Sequence, residues 1–187
     1  DYYTEQEIKR LLATVDDMRI MPPAKRWFIK ANSYLKGKQY SEAAAQYDRL
    51  LVSDEATSLN PRDYGDVLHN KAIATLHISG LEGALELFEQ AYERNHREES
   101  LRQYLYTLWL ARGREAFDGE TAGMQISGQL REDIIIRMEQ LSRDAGMCRD
   151  MNDINKLRNL KDAGKTDEVR DKCKQMIYRW IGDMRVL

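Results

Sequence analysis

Three histidines and two cysteines are the side chains here best suited to making or breaking bonds, and their spacing argues against catalysis. His69 and His77 stand eight residues apart, which puts both on one face of a helix, where imidazoles can hold a metal or pass a proton. A zinc-protease helix needs its two histidines one turn apart with a glutamate between them, and no such arrangement occurs. His96 follows a helical stretch, a place that suits an imidazole to the negative end of the helix dipole. Cys148 and Cys173 are 25 residues apart with no partner motif, and read as small buried thiols in a reducing, cytoplasmic setting. No nucleophile elbow, phosphate-cradling loop or dinucleotide fingerprint is found. Acidic residues are plentiful but fall on the polar faces of amphipathic stretches. The residues therefore indicate no catalytic group, no metal ligand set and no cofactor.

Composition narrows the class further. The chain has 187 residues, enough for one domain that buries a full core without disulfides or metals. Hydrophobic residues make up 42% and charged residues 32%, with 3 Pro and 11 Gly, a balance that predicts a soluble, helix-rich protein. The net charge of −2, from 29 basic and 31 acidic side chains, gives no general affinity for nucleic acid. The apolar runs "IKRLLATV" and "DIIIRM" are interrupted and too short to span a bilayer. No signal peptide is visible, although a start at Asp1 leaves room for an upstream leader or anchor.

Helical periodicity governs nearly the whole chain, and no stretch alternates with a strand's period of two. Thr4 and Glu7 form a capping-box spacing ahead of Ile8, Leu11, Leu12 and Val15, which predicts an N-terminal helix over 1–21. Pro22 and Pro23 end it and open the next, which runs to Lys36. Gly37 breaks that helix, and Tyr40 to Ser53 forms another. A loop follows, closed by Asn60 as a cap with Pro61 in the first turn. Further helices run to Ser79, from Leu81 to Arg94 after a break at Gly80, and through "REESLRQYLYTLWLAR" to Gly113. The segment Asp118 to Gly128 reads as a loop. Helices are then predicted over Gln129–Ala145, Cys148–Asp162 and Thr166–Arg185.

A repeat underlies this pattern. In "AKRWFIKANSYLKGKQYSEAAAQYDRLL" the residues Trp27, Ala31, Tyr34, Tyr40, Ala43, Tyr47 and Leu50 recur 41 residues later as Leu68, Ala72, Thr75, Leu81, Ala84, Phe88 and Ala91. Two small slots and a large ring per unit describe a helical hairpin that cannot cover its own apolar face and must stack on a neighbour. A third unit would follow with Tyr106 and Trp109, but Tyr106 stands where a small residue belongs and the slots after Trp109 hold Glu115, Asp118, Ala122 and Gln125, so the unit fails halfway. A degenerate unit is legible near the end, in Leu157, Leu160, Val169, Cys173 and Met176.

The motifs "GKQYSEAAAQYDRLL" and "SGLEGALELFEQAYERN" resemble the second helix of the tetratricopeptide repeat family. The resemblance covers residues 24–112, best over 24–95. It implies an all-α, tetratricopeptide-like α-solenoid of antiparallel helix pairs, one helical-repeat domain over 1–187, with the helices of 127–187 as caps or a degenerate repeat. In that family the first helices of each pair line a concave groove that receives a peptide. Here the groove would present Lys25, Phe28, Asn32, Asp66, His69, Asn70, Ile73, Gln103 and Tyr104. One subclass grips a carboxylate with Lys, Asn and Arg. Asn32 and Asn70 occupy its two Asn slots, but Phe28, Ser100 and Tyr104 stand in its cationic slots. Asn32 and Asn70 are therefore expected to bind main chain generally.

The expected role is a non-catalytic adaptor or scaffold that binds a protein or peptide, with no cofactor, no membrane segment and a cytoplasmic setting. The C-terminal helices need an apolar partner and can cap the stack, occlude the groove or pair two chains into a homodimer. The rival from another class is a helical nucleic-acid-binding factor, or an enzyme whose site cannot be recognised from sequence. From Gln129 onward the chain carries 13 basic and 11 acidic residues, including Lys156, Arg158, Lys161, Lys165, Lys172 and Lys174 near Tyr178 and Trp180. Alternating charge of this kind more often marks a solvated helix face.

Overall fold

The computed structural model describes residues 21–147 together with Gln6, Glu7, Lys9, Arg10, Leu12, Ala13, Arg19, Ala163, Gly164, Lys165 and Leu187. Among the described residues the protein is all-α, with no strand. The helices are α1 (Pro23–Lys36), α2 (Tyr40–Leu51), α3 (Pro61–Ser79), α4 (Leu81–Asn95), α5 (Glu98–Arg112), α6 (Arg114–Gly123) and α7 (Gly128–Met147), and a short 3-10 turn covers Asp54–Ser58. The chain divides into two compact units, Asp1–Leu101 with Val186–Leu187, and Arg102–Arg185. The capping box at Thr4, the helices expected over Cys148–Asp162 and Thr166–Arg185, both cysteines and the degenerate last repeat lie outside the described residues. Gly164, expected to separate two of those helices, lies in a turn with φ 74°.

In the first unit, α1 packs on α2 and α3 on α4, and α3 also packs against both α2 and α1. The alanines expected in the small slots carry these contacts: Ala31, Ala43, Ala72 and Ala84 are completely buried, as are the rings of Tyr47 and Phe88. Close approach is tightest where Gly65, at the start of α3, meets the end of α4. A Cβ at Gly65 would lie 2.7 Å from the Asn95 backbone nitrogen and 2.8 Å from the Ala91 carbonyl oxygen, so only glycine fits. Contact between the start of one helix and the end of the next makes α3 and α4 an antiparallel hairpin. Trp27 departs from the packing pattern. It is partly exposed, and with Arg26, Ile29, Lys30, Ser33, Tyr34 and Gln39 it lines a surface cavity of about 670 Å³.

Helix ends follow local chemistry. The Asn60 Oδ1 accepts from the Asp63 backbone N–H at 2.8 Å, and its Nδ2 donates to the Asp63 carboxylate at 3.0 Å, so both ends of the amide hold the first turn of α3. At the end of α1 the expected breaker, Gly37, has an ordinary negative φ, and it is Lys38 that adopts the left-handed conformation at φ 59°. Lys38 and Gln39 then donate their N–H groups back to the carbonyls of Leu35 and Tyr34, closing a Schellman turn. His96 plays the matching part after α4, at φ 51° with its N–H on the Tyr92 carbonyl. His77, on α3, stacks on Tyr40 with ring centroids 4.0 Å apart. Burial, reinforced by the nearby Lys38 charge, lowers its pKa below the usual histidine value.

The region expected as a loop from Asp118 to Gly128 is instead helical as far as Gly123. Gly113 joins α5 to α6 at φ 88° and ψ 176°, close to the φ 89° and ψ −162° of Gly80 between α3 and α4. Both values belong to a region essentially restricted to glycine. The two joints are 33 residues apart, and that offset pairs Leu68 with Leu101, Ala72 with Leu105, Thr75 with Leu108, Ala84 with Phe117 and Phe88 with Thr121. Leu101, Leu105, Leu108, Phe117 and Thr121 are all buried. The helix–glycine–helix arrangement thus occurs again, with the large ring moved one turn earlier and the small residue taking its place. The expected third unit, with Tyr106 and Trp109 in the slots of Ala72 and Thr75, stands 34 residues on and so lies one residue out of register with this arrangement.

In the second unit Trp109 lies 5.0 Å from Phe117 between ring centroids, across the Gly113 joint. Arg131 of α7 pairs with Asp118 of α6 at 2.6 Å and lies over the Phe117 ring, while Arg114 reaches Glu139 at 2.8 Å. Ser127 caps α7 by accepting the Leu130 N–H at 3.1 Å, and Ile134 and Met138 are buried along its inner face.

Two substitutions test this account of close approach and helix ending. Gly65→Ala is expected to destabilise the protein by about 2 kcal/mol, because the added methyl meets backbone that cannot yield. Lys38→Gly is expected to stabilise it by about 0.5–1 kcal/mol, because relief of the left-handed strain exceeds the extra flexibility of the unfolded chain. Urea midpoints at unchanged slope measure both.

Candidate functional site

Two groups of polar side chains stand on α3, and their surroundings differ. The first centres on Asn70, which is completely buried. One hydrogen of its side-chain amide goes to the Asn32 Oδ1 at 3.0 Å and the other to the Leu187 carbonyl oxygen at 2.7 Å. Its Oδ1 accepts the Leu187 backbone N–H at 2.8 Å. Asn32, from α1, also accepts a hydrogen bond from the Tyr47 hydroxyl of α2. Three helices therefore place one continuous set of amide and phenol groups, and the set ends on main chain. Burial raises the Tyr47 phenol well above its ordinary pKa of 10, offset only in part by the Asn70 amide, so the hydroxyl remains a donor.

That pairing has a definite meaning in hydrogen-bond terms. A residue's own N–H and C=O point to the same side only when its backbone is extended, as in the pairs that exchange both bonds across an antiparallel ladder. The Asn70 amide supplies one acceptor and one donor side by side, and so stands in for a neighbouring strand at Leu187. Without a group at that place, the buried Asn70 Oδ1 would lose the Leu187 N–H and bear a cost of about 1–3 kcal/mol.

The second group faces the start of α5. Asp66 accepts from the Asn95 amide at 3.1 Å and takes Arg97 through two bonds of 2.8 and 2.7 Å. The Asn95 amide also donates to the Ser100 Oγ at 2.9 Å, and the same oxygen shares a hydrogen bond with His69 Nδ1, also at 2.9 Å. His69 meets the Phe88 ring edge-on at 5.3 Å. The pairing with Asp66 raises the Arg97 pKa and keeps its charge fixed. A serine within hydrogen-bond distance of a histidine has the spacing of a nucleophile and its base. Here both side chains have no exposure to solvent, and the group ties α3 to the end of α4 and the start of α5.

Of the nine residues expected to face a groove, Asn32 and Asn70 are brought together, with Phe28 half-buried 6.3 Å from the Tyr47 ring. Lys25 is exposed and Ile73 is buried. Asp66 and His69 belong to the internal network instead of an open surface. Gln103 and Tyr104 fall in the second unit, where Tyr104 is buried and the Gln103 Oε1 is buried without a hydrogen bond. Sequence reasoning missed Tyr47 as a polar contributor and Asn95 and Arg97 altogether, and named Ser100 only as the occupant of a cationic slot. One signal was present: the slot filled by Phe88 in the second hairpin carries Tyr47 in the first, and the extra hydroxyl requires a partner.

Asp66→Ala is expected to cost about 2 kcal/mol in stability, since it leaves the Asn95 amide short of a buried acceptor while the partly exposed Arg97 turns to water. Chemical denaturation measures this, and unchanged stability would remove the network from the list of structural supports.

Among the described residues no three His, Cys, Asp or Glu side chains gather as a metal site, and no helix is long and apolar enough to cross a membrane. No protein-family model matches the chain, and comparison with curated proteins and with solved structures gives no match to either.

Proposed function

We propose that the protein is a non-catalytic interaction module of the tetratricopeptide-like kind, which binds an extended segment of a protein or peptide through Asn32, Tyr47 and Asn70. The observation that carries this reading is the Asn70 amide engaging both the N–H and the C=O of a single residue, Leu187. Neutral amides paired to main chain recognise an extended backbone whatever its sequence, and adjacent side chains such as Phe28 supply selectivity. The paired helices α1–α2 and α3–α4, with small residues at their contacts, and the recurrence of the Gly80 joint at Gly113 support a repeat architecture. A cytoplasmic setting, with Cys148 and Cys173 as thiols, belongs to the same proposal.

Affinity capture from cell extract, comparing the wild type with Asn32→Ala/Asn70→Ala, tests the reading. Loss of a captured partner by at least about tenfold is the expected result, since two hydrogen bonds of about 1 kcal/mol each disappear. A double variant that keeps the fold by circular dichroism and captures the partner undiminished would disprove it.

A further inference from the structure

The residue held by Asn70 belongs to the chain itself, 117 positions further along. The two bonds between them use only Leu187 backbone atoms, and the Leu187 side chain is half-buried. Another extended segment that offers an N–H and an oxygen acceptor on one residue can therefore take the place of Leu187 at Asn70. A contact so easily replaced behaves as a ligand that happens to be tethered.

We infer that Leu187 is a built-in competitor: it occupies the Asn32–Asn70 site in place of a partner, and a partner's extended segment binds only by displacing it. This rests on reading Asn32 and Asn70 as the binding site. Its consequence is a reduced apparent affinity in the intact chain, because only molecules with a vacated site can bind. Where nine molecules in ten are self-occupied, the apparent Kd rises about tenfold. The tether sets this balance, since a covalently attached segment acts at an effective concentration near the millimolar range when its linker permits. Any condition that draws Leu187 away would release the site without altering the groove.

The probe for the test is a fluorescent synthetic peptide with the sequence of residues 178–187, YRWIGDMRVL, added in trans to the full chain. Leu187→Pro removes the backbone N–H that Asn70 accepts and fixes a φ ill-suited to the extended pairing. By fluorescence polarisation, Leu187→Pro is expected to bind the peptide at least about tenfold more tightly than the wild type does. Asn70→Ala in the Leu187→Pro background is expected to abolish the gain, and Asn70→Asp, which keeps the volume but replaces the donor with a second acceptor, should do the same if the alanine variant fails to fold. Equal binding by wild type and Leu187→Pro, still sensitive to Asn70, would overturn self-occupancy and leave the binding site standing. Binding to Leu187→Pro that ignores Asn70, or no binding at all, would overturn both. A wild type that sediments as a dimer and becomes a monomer on Leu187→Pro would place Leu187 in a second copy, and so overturn self-occupancy within one chain.

Discussion

A polar side chain shut between closely packed helices must find its hydrogen-bond partners inside the protein. Helix α3 carries three such side chains within five residues, Asp66, His69 and Asn70. They are enclosed because Gly65, Ala72 and their alanine counterparts on the neighbouring helices bring backbones so close together. Most of what is distinctive in the first unit follows from how these three demands are met. Asp66 and His69 are satisfied by Asn95, Arg97 and Ser100, which fasten the end of α4 and the start of α5 to the middle of the unit. Asn70 reaches across to Asn32 and then to main chain far along the sequence. Scaffold and site are thus two answers to one constraint, and they stand one helical turn apart.

The site carries no net charge of its own. Two carboxamides and a phenol held in the protonated state make directional hydrogen bonds without the long-range pull of ions. In the role proposed for them, such groups would discriminate by backbone shape, because a helix offers its N–H and C=O to itself and only an extended segment has both to give. Among the described residues the ion pairs fall on other side chains, including Lys71 with Asp48. Arg97 and Asp66 hold the network, and Arg114, Arg131, Asp118 and Glu139 tie the helices of the second unit.

Much of the fold was legible in the sequence because its causes are local. Pro61 after Asn60, glycine at positions 80 and 113, and alanines at helical spacing each leave a mark readable without coordinates. The α6 helix was hidden, since Gly119 and Gly123 lower its helical signal and the spacing of the pattern shortens just before it. Lys38 gave no sign of its left-handed conformation, because the tidy glycine beside it was the expected breaker. The site was legible only in half. Asn32 and Asn70 were picked out, but whether a polar residue on α3 meets solvent or the interior depends on which helices cover it. That is a tertiary matter, and it moved Asp66 and His69 from the surface to the core. Leu187, 117 residues from Asn70, left no trace in any local pattern.

The hairpins are not equally spaced: the first recurs after 41 residues and the second after 33, and the connection following α2, residues 52–60, is seven residues longer than that following α4, residues 96–97. The extra residues fall around the 3-10 turn Asp54–Ser58, which is anchored by buried Ala56 and otherwise lies mostly at the surface. Lengthening a surface connection costs little, because closure entropy grows only with the logarithm of length. At Gly80 and Gly113 a single residue in a glycine-only conformation sets the angle between two helices, and an inserted residue would swing one helix off the other. Descendants of this chain are therefore free to gain and lose residues between α2 and α3, while deletions and insertions at the two glycine joints would be purged.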